Sequence, residues 1–563
     1  MRGRARFALP RRNYFFMPLT DDLKNLISGE VFDDEKSLAD ASHDYSLFSV
    51  KPKVVVTPKN REDIKKLVGY VNTHKGTSLT VRAAGTDMSG GPLNESIIVD
   101  VMKHLNHMEE VIANPDGTGF ASTEPGVLYR DFETATLAKG LLFPSYPASK
   151  RLCAMGGIVN NNSGGEKTLI YGKTEKYIES ISMILRDGEE HTFTTLDPQA
   201  LGLKLKADGL EGDIYRGIHK IVTENDELLQ EAKPKVSKNS SGYYLWNVWD
   251  KEAGTFDLTK LIVGAQGTFG IMTEAKIKLI KPKTHSALLV IFINDFNILS
   301  DVITAVLKHH PESFESYDDN TFNIAIKYLP SMLKILGASN LISLGWRFLP
   351  EFWMAVTGGV PKLVLTAEFT GDSEEEIFAK AHACEADLKQ FPIKTHVAKD
   401  DKEEDKYWTI RRESFKLLTD HSKGKRTAPF IDDVVVAPEK LHDFLPRLNE
   451  IMSHYKLVFT IQGHIGNGNF HIIPLVDIGD EHIKTIVPEL EEKVFSLVKE
   501  FGGSMTGEHN DGLVRSPYLK KMFGDKVYML FEETKHIFDP DNIFNPSKKV
   551  GETLTYEIDH LKV

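Results

Sequence analysis

The chain has 563 residues, of which 41% are hydrophobic and 26% charged, and its formal net charge is −12. This length allows more than one domain with a buried core, whereas the acidic balance argues against nucleic acid as a partner. The two cysteines, Cys153 and Cys384, exclude a disulfide framework and an internal four-thiolate iron–sulfur cluster, so a cytoplasmic location is expected.

Residues 1–50 are interpreted as an N-terminal extension and lead-in. Residues 1–16 are rich in arginine and contain no acidic residue. A mitochondrial-type presequence is one interpretation of this composition. We favour a native start at Met17, because Thr20 and Asp21 then open a capped helix pattern.

Short strands and a helix follow in the first domain. Residues 53–58 are typical of a strand ended by proline, Asn60 is predicted to cap a helix, and strands are predicted at 79–82 and 97–101. The glycine-rich segment 81–91 therefore joins one strand to another. A Rossmann dinucleotide unit requires a strand, a glycine loop and a helix, so this segment does not fit one.

Glycine-rich segments are the main binding signal of this domain. They lie at residues 81–91, 155–165 and 264–271, and an alternating pattern over 179–193 predicts a hairpin that turns at Asp187. Glycine lets backbone N–H groups approach a ligand closely, and runs of such groups hold phosphate oxygens. The first two segments are predicted to be loops that bind one anionic cofactor.

From about residue 283 the pattern changes, which indicates a second domain. A strand is predicted near residues 288–293 and a helix near 373–390. Residues 329–360 are apolar with interspersed charges, and their longest uncharged run is well short of the ~20 residues that span a bilayer. A packed lid or a dimer contact is favoured there over a membrane-surface or quinone-facing patch.

Two histidines in a predicted hairpin suggest a metal centre. If Asn467 and Gly468 form a two-residue turn, His464 lies opposite His471 with Cβ atoms ~5 Å apart. Two imidazoles at this spacing suit zinc or manganese. From the hairpin alone, a hairpin that merely carries two histidines is an equally good interpretation. Residues 507–509 favour the metal, because they offer a carboxylate as third ligand and a further imidazole as base.

Together these segments resemble the FAD-linked oxidases and dehydrogenases of the vanillyl-alcohol oxidase type. Within them the chain is most similar to the group of D-lactate dehydrogenases, glycolate oxidase FAD subunits and D-2-hydroxyglutarate dehydrogenases. The resemblance extends from residue 40 to the C-terminus. Its markers, in the family's order, are residues 82–91, 144–149, 156–165, 171–172, 266–270, 408–411, 464–471, 507–509 and 545–546.

The resemblance implies a role for each matching residue. It implies a divalent metal held by His464, His471 and Glu508, with His509 accepting the substrate hydroxyl proton and Arg411 binding the substrate carboxylate. It also implies FAD, for which the binding residues would be Arg82, Ala83, Ala84, Gly85, Thr86, Asp87, Pro144, Ser149, Gly156, Gly157, Asn160, Asn162, Ser163, Gly164, Tyr171, Gly172, Gly267, Gly270, Ile271 and Asn545.

Several positions depart from the family pattern or admit a second interpretation. Asn467 stands where the family commonly has aspartate, which removes a negative charge near the metal. Arg515 and Arg426 are candidates for substrate contact, but surface cations are favoured. Cys153 is interpreted as a small buried thiol and not as a flavin attachment point, so non-covalent FAD is expected.

The fold expected from these features is α+β. A PCMH-type FAD-binding domain, built of two α/β subdomains, would span residues 51–282. A substrate-binding cap domain with an antiparallel sheet would span 283–539. A tail over residues 540–563 would return to the flavin domain.

The function expected is that of an FAD-dependent 2-hydroxy-acid dehydrogenase, similar to D-lactate dehydrogenase. The sequence after His509 resembles a sub-branch often fused to an iron–sulfur domain; none is seen here, so electrons are expected to pass to a separate acceptor such as a quinone, cytochrome, iron–sulfur protein or electron-transfer flavoprotein. A homodimer and a peripheral membrane contact are left open. Two alternatives are an O2-using alcohol or phenol oxidase of the same fold, and a flavin electron-transfer subunit of a larger complex.

Overall fold

The computed structural model describes residues 19–319, 321, 361–421, 424–477 and 479–562. The interpretations of residues 1–18 and of segment 329–360 concern parts of the chain outside these ranges. Within the described ranges, no helix is both long enough and apolar enough to cross a membrane.

The helices of the described chain include long amphipathic ones and single turns that position loops. In chain order they are α1 Leu19–Leu26, α2 Glu35–Ala41, α3 Arg61–Thr73, α4 Tyr129–Leu137, α5 Met155–Asn161, α6 Thr168–Tyr171, α7 Pro198–Lys204, α8 Gly209–Glu224, α9 Asp226–Ala232, α10 Thr259–Ile262, α11 Leu299–Leu307, α12 Glu374–Leu388, α13 Asp401–His421, α14 Leu441–Ser453, α15 Ile483–Glu500, α16 Gly512–Arg515, α17 Leu519–Phe538 and α18 Leu554–Asp559.

The first sheet is a small mixed sheet in the order β1-β2-β4-β3. Strands β2 and β3 run parallel to β4, and β1 is antiparallel to β2. Unbroken valine and isoleucine runs fill β2 and most of β4 and are buried, as expected for strands covered on both faces. The four strands are β1 Glu30–Phe32, β2 Val54–Thr57, β3 Leu79–Arg82 and β4 Ile97–Asp100.

The second sheet is antiparallel and has the order β5-β6-β11-β7-β8-β10-β9. Its strands are β5 Ile112–Ala113, β6 Gly119–Thr123, β7 Ile178–Ile184, β8 Glu190–Leu196, β9 Trp249–Asp250, β10 Thr255–Asp257 and β11 Ile271–Leu279. The predicted hairpin is confirmed, because β7 pairs with β8 across a turn that contains Asp187 and Gly188.

The third sheet carries the histidine hairpin and is also antiparallel, in the order β15-β12-β14-β13-β18-β19-β16, with β17 paired to β19. Its strands are β12 His285–Ile293, β13 Ser313–Asp318, β14 Leu363–Gly371, β15 Lys394–Val397, β16 Lys425–Thr427, β17 Val434–Val435, β18 Val458–His464 and β19 Asn469–Asp477. A large apolar core under this sheet also takes in Phe48 and Leu93 from the N-terminal part of the chain.

The α+β prediction is confirmed, and several local predictions hold. Asn60 caps α3 by accepting a hydrogen bond from the Asp63 backbone N–H at 3.1 Å. Segment 81–91 joins β3 to β4 without a helix, and α12 lies within the predicted range 373–390. The domain boundaries at residues 50, 282 and 539 stay predictions.

One local prediction is wrong, because segment 155–165 is not a loop throughout. Its first seven residues form α5, which begins after Ala154 in extended conformation and ends at Asn162 with a φ of 49°. Met155, Ile158 and Val159 are buried at helical spacing. Gly156 lies in the first turn against Pro125, where a Cβ would come 2.6 Å from the proline Cβ. The glycines therefore allow close helix packing as well as backbone exposure.

Candidate active site

The glycine-rich segments converge in space. The Gln266 backbone N–H donates to the Asn160 carbonyl at 2.9 Å, which attaches the third segment to α5. Asn545 from the C-terminal part donates through its amide to the carbonyls of Gly91 at 3.0 Å and Gln266 at 2.6 Å. One asparagine thus joins the end of the first segment to the third.

The first two segments approach each other at Gly157 and Ala83. Gly157 is exposed, and the nearest atom to a Cβ built on it is the Ala83 Cβ at 4.0 Å. A gap between two backbone segments, lined by glycine and alanine, suits a ligand that needs close backbone approach. This gap is here called the cofactor cleft, and it is bounded by residues 82–87 and by α5.

Arg82 lies at the edge of the cofactor cleft. Its Nη2 donates to the His43 carbonyl at 2.7 Å, while Nη1 is buried and has no hydrogen-bond partner among the described residues. Gly85 has a φ of 65°, and a Cβ there would collide with the Arg82 guanidinium. A buried guanidinium nitrogen without a partner fits a cleft that holds an anionic or hydrogen-bonding cofactor.

The other predicted cofactor residues have varied surroundings, and their roles stay predictions. Asn162 accepts from the Glu175 N–H through its side chain at 3.1 Å, and the Ser163 carbonyl accepts from the Ser145 hydroxyl at 3.0 Å. The Tyr171 hydroxyl donates at 3.1 Å to Oε2 of Glu312, the residue directly before β13. Thr86, Asp87, Ser149, Gly172 and Gly267 are half-buried, and Pro144, Gly270 and Ile271 are buried.

The histidine hairpin forms, but its predicted register is wrong. His464 pairs with Asn469, and His471 pairs with Gln462. The turn contains four residues, Ile465 to Gly468, and closes on Gly468 in the left-handed conformation. The two histidines are therefore diagonal neighbours on one face, with ring centroids 5.3 Å apart. A shift of two positions keeps both side chains on the same face, so their proximity survives the error.

Three imidazoles converge on one carboxylate oxygen. Glu508 Oε1 lies 3.1 Å from His464 Nε2, 3.4 Å from His471 Nε2 and 3.9 Å from His509 Nε2. His464, His471 and Glu508 are buried, whereas the His509 side chain is 20% exposed. The residues predicted as ligands and base thus lie together, with the predicted base the most accessible of the four.

The opposite nitrogen of each ring faces a second carboxylate. His464 Nδ1 lies 2.6 Å from Glu315 Oε1, and Asp432 bridges His471 Nδ1 at 3.0 Å and His509 Nδ1 at 2.8 Å. A carboxylate only accepts, so each Nδ1 carries a proton, and each Nε2 is directed at the centre, where it presents a lone pair once the ring is neutral. Carboxylates that orient histidines in this way are typical of metal centres.

These contacts shift the acid–base behaviour of the site. Burial alone would raise the pKa of Asp432, but His509 and His471 hold it well below its usual range. Burial would lower the pKa of His471, whereas Asp432 raises it to about 10. For Glu508, Lys238 and His464 outweigh burial and hold the pKa well below its usual range. The cluster therefore favours an ionised carboxylate at Glu508.

Asp433 is better placed to hold the backbone than to bind a metal. Its Oδ2 accepts from the N–H groups of Glu508 at 2.8 Å and His509 at 2.7 Å and from the Thr506 hydroxyl, and its Oδ1 accepts from Asn469. Ligand atoms within 4.8 Å of one another are offered by Asp433, His471, Glu508 and His509. Because both Asp433 oxygens already accept, we assign it to shaping the loop.

The donor set fits a divalent metal. Nε2 of His464 and His471 and one Glu508 oxygen converge, with His509 Nε2 beside them, and the rings are held by buried acids from β13 and from the segment before β17. Zinc and manganese both accept such nitrogen and oxygen ligands. Metal binding at this site, and the identity of the metal, stay predictions.

The sequence did not reveal Glu315, Asp432 or Lys238 as site residues. Asp432 and Asp433 stand directly before a buried valine run, and two adjacent acids in that position are a sequence signal that could have identified Asp432. Glu315 lies on β13, where every position is buried, and nothing in its local pattern marks it. Lys238 lies in a polar loop whose partners are more than 200 residues away in sequence.

The predicted arginines divide into two environments. Arg411 is buried and contacts Glu315 Oε2 at 3.0 Å through Nη2 and Gln462 Oε1 at 3.2 Å through Nη1, so it adjoins the carboxylate that orients His464. Arg515 is fully buried, so the favoured interpretation as a surface cation is wrong, and it donates to backbone carbonyls, including that of Asn510 at 2.9 Å. This geometry assigns Arg515 to bracing the loop and leaves the role of Arg411 as a prediction.

Three further positions are informative. Asn467 donates to the Ser237 hydroxyl at 2.9 Å, so its amide is directed to that loop. Arg426 is half-buried and donates to the Leu47 carbonyl at 3.2 Å. Cys153 is buried, and burial raises the pKa of its thiol to about 12, in agreement with the interpretation as a small buried thiol.

The comparisons with known proteins agree with this architecture. Residues 52–194 match the FAD binding domain family, and residues 282–549 match the family FAD linked oxidases, C-terminal domain. D-2-hydroxyglutarate dehydrogenase of Pseudomonas putida is 26% identical over 526 residues, covering 92% of this chain and 50% of that protein. Glycolate oxidase subunit GlcD of Bacillus subtilis is 27% identical over 547 residues, covering 94% of this chain and 97% of that protein.

A solved structure shows the same fold. The 4-ethylphenol oxidase from Gulosibacter chungangensis superposes with a TM-score of 0.66 at 16% identity, covering 94% of this chain and 96% of that one. The chain spans about half the length of the first curated relatives that it matches. The chain therefore contains an FAD binding domain and an FAD linked oxidase C-terminal domain, and it shares its fold with the 4-ethylphenol oxidase.

The cofactor cleft can be tested by filling it. Gly157→Leu is expected to leave the fold intact, since no described atom lies closer than 4.0 Å to its Cβ, but to weaken FAD retention. Overpacking of about 1–3 kcal/mol corresponds to roughly 5- to 150-fold in affinity. The measurement is FAD bound per protein after dialysis. Gly69→Leu is the matched control, because Gly69 also lies in a helix, α3, with no atom within 4 Å. Equal FAD retention in both variants would place the cofactor elsewhere.

Proposed function

We propose that this chain is an FAD-dependent, metal-assisted 2-hydroxy-acid dehydrogenase that passes electrons to a separate acceptor. The observation that carries the proposal is the convergence of three imidazole Nε2 atoms on Glu508 Oε1, beside the second glycine segment. A Cβ on Gly164 would lie only 3.4 Å from Glu508 Oε2, so the proposed flavin and metal segments are in contact.

The relatives support the substrate class. Two of them are named for D-2-hydroxyglutarate and for glycolate, and both names describe 2-hydroxy acids. An anionic substrate needs a buried cation, and Arg411 supplies one beside the Glu315–His464 pair. A D-lactate-like substrate fits this proposal, as do other 2-hydroxy acids.

The side chains of this protein would perform the proton and orientation steps. When bound, the flavin would accept a hydride from the substrate C2, and the metal would lower the pKa of the substrate hydroxyl. His509 is placed to accept the hydroxyl proton at Nε2, because Asp432 holds the proton on Nδ1. Although burial lowers the pKa of His509, Asp433 and Asp432 raise it overall, which strengthens it as a base.

The test is anaerobic bleaching of the flavin absorbance in metal-replete protein. We expect one D-2-hydroxy acid among lactate, glycolate, 2-hydroxyglutarate and larger analogues to bleach it. His464→Ala and Arg411→Ala are expected to slow bleaching by at least about 100-fold, because each removes a contact needed in the reacting complex. The bleaching rates of the wild type and of both variants would be measured by rapid mixing.

Surface variants provide the control for that test. His191→Ala and Arg216→Ala remove an imidazole and a guanidinium from ion pairs far from the cluster, and both should bleach at the wild-type rate. FAD that is bound but bleached by none of the acids would contradict the proposal and favour an electron-transfer role. Bleaching followed by reoxidation with O2 as fast as turnover would favour an oxidase.

A further inference from the structure

The loop of residues 237–242 packs against the histidine and glutamate cluster. The Ser237 hydroxyl in this loop accepts a hydrogen bond from the Asn467 amide at 2.9 Å. The Ser241 hydroxyl and the Gly242 N–H donate to the two carboxylate oxygens of Asp511, each at 2.9 Å. The loop therefore contacts both the turn of the histidine hairpin and the segment that follows Glu508.

Lys238 is the charged residue of this loop that meets the cluster. Its side chain is fully buried, and Nζ lies 2.6 Å from Glu508 Oε2. The same ammonium donates to Asn469 Oδ1 at 3.0 Å, beside His464 in the hairpin register. A buried ammonium is costly unless it is paired, so these two contacts fix its position.

We propose that Lys238 is a positioning residue for the metal centre. It binds Glu508 Oε2, so the other oxygen, Oε1, is turned toward the three imidazoles. Without it, the carboxylate is free to rotate and to take its hydrogen bonds from the neighbouring rings, which competes with metal ligation. This inference rests on the proposed function, because it requires that the cluster binds a divalent metal.

Two effects of the ammonium on metal affinity oppose each other. Its positive charge repels a divalent cation through space, so removing it would tighten binding if charge alone mattered. Its ion pair with Glu508 orients a ligand, and loss of a contact that orients a metal ligand typically costs about 10- to 100-fold in metal affinity. The contact at 2.6 Å to the ligand carboxylate favours orientation as the larger effect.

The test compares metal affinity in Lys238→Met and Lys238→Gln with the wild type. Binding of Mn2+ would be measured from the resonance signal of the free ion, and Zn2+ by competition with a chromophoric chelator. Both neutral variants are expected to bind metal about 10- to 100-fold more weakly while FAD content stays unchanged. Lys238→Arg, which keeps a cation, is expected to recover most of the affinity.

Lys173→Met is the matched control. Lys173 is also buried, and its Nζ donates to the Asn239 carbonyl at 2.6 Å and the Gly507 carbonyl at 2.9 Å, so its loss removes a nearby cation without touching the Glu508 carboxylate. It is expected to keep the wild-type metal affinity. Equal loss in Lys173→Met and Lys238→Met would overturn the inference.

The outcomes separate this inference from the proposed function. Wild-type protein that binds neither Mn2+ nor Zn2+ would overturn the metal centre itself. Wild-type binding with unchanged or tighter binding in both neutral Lys238 variants would overturn the positioning role alone. Weaker binding that the arginine variant restores would support it.

Discussion

Glu508→Gln is expected to abolish stoichiometric metal binding and to slow anaerobic flavin reduction by a 2-hydroxy acid by at least about 100-fold. Glu508 Oε1 is the point on which His464, His471 and His509 converge. A glutamine presents either a neutral oxygen or an N–H group there, and neither replaces an anionic ligand. The measurements are metal content by elemental analysis and the bleaching rate by rapid mixing.

The same substitution leaves the Lys238 ammonium buried without its carboxylate. Breaking a buried ion pair by removing one partner typically costs about 3–5 kcal/mol, so the variant is also expected to be less stable. Adding Lys238→Met to Glu508→Gln removes the unpaired charge and should recover part of the lost stability. Metal binding should remain absent in the double variant, which separates instability from loss of the ligand.

Glu491→Gln is the control for the loss of a buried carboxyl. Burial raises the pKa of Glu491 to about 8, which favours the neutral form of this fully buried group, and glutamine resembles that form closely. Its Oε2 accepts from the Tyr518 hydroxyl at 3.0 Å, away from the histidines. Metal content and bleaching should match the wild type. Retention of stoichiometric metal by Glu508→Gln would contradict the assignment of Glu508 as a ligand.

Local sequence signals predicted those parts of the fold that local contacts determine. The cap at Asn60, the β7–β8 hairpin and the pairing of β18 with β19 depend on residues close in sequence, and all three form. The register of the β18–β19 hairpin was missed because turn length decides it. A two-residue turn and a four-residue turn around Gly468 are both compatible with the same glycine and asparagine pattern.

The candidate site was predictable only where its residues lie close together in sequence. His464, His471, Glu508 and His509 occur in two short motifs, so spacing alone grouped them. Glu315 and Lys238 come from elements that approach only in the folded chain, 149 residues from His464 in the first case. Their chemistry is set by the partner they meet, and no property of the neighbouring sequence indicates that partner.

Helix α5 shows why glycine patterns are ambiguous. Gly156 and Gly157 are adjacent and carry the same sequence signal, yet one is buried against Pro125 and the other is exposed toward Ala83. The first permits packing and the second leaves space for a ligand. The two roles differ only in the direction in which a Cβ would point at each glycine. That direction is set by helix α5, which the sequence analysis predicted to be a loop.

Asp432→Asn is expected to retain FAD but to slow flavin reduction by about 10²- to 10⁴-fold. Asp432 Oδ1 accepts a hydrogen bond from His471 Nδ1, and Asp432 Oδ2 lies 2.8 Å from His509 Nδ1 as an ion-pair contact. An asparagine offers one acceptor and one donor, so it satisfies one ring and forces the other toward the opposite tautomer. Either His471 loses its inward lone pair and ligates poorly, or His509 loses it and no longer accepts the substrate proton.

The metal affinity of the Asp432→Asn variant shows which of the two rings is affected. If the asparagine oxygen faces His471, metal binding is preserved and only the rate falls; if it faces His509, metal affinity falls as well, by about 10- to 100-fold. Asp63→Asn is the matched control, because Asp63 is a buried carboxylate that accepts from the N–H groups of Ser28 at 2.8 Å and Gly29 at 2.9 Å, far from the cluster. It should lower stability without changing the bleaching rate. A wild-type rate in Asp432→Asn would show that neither tautomer matters and would remove His509 as the base.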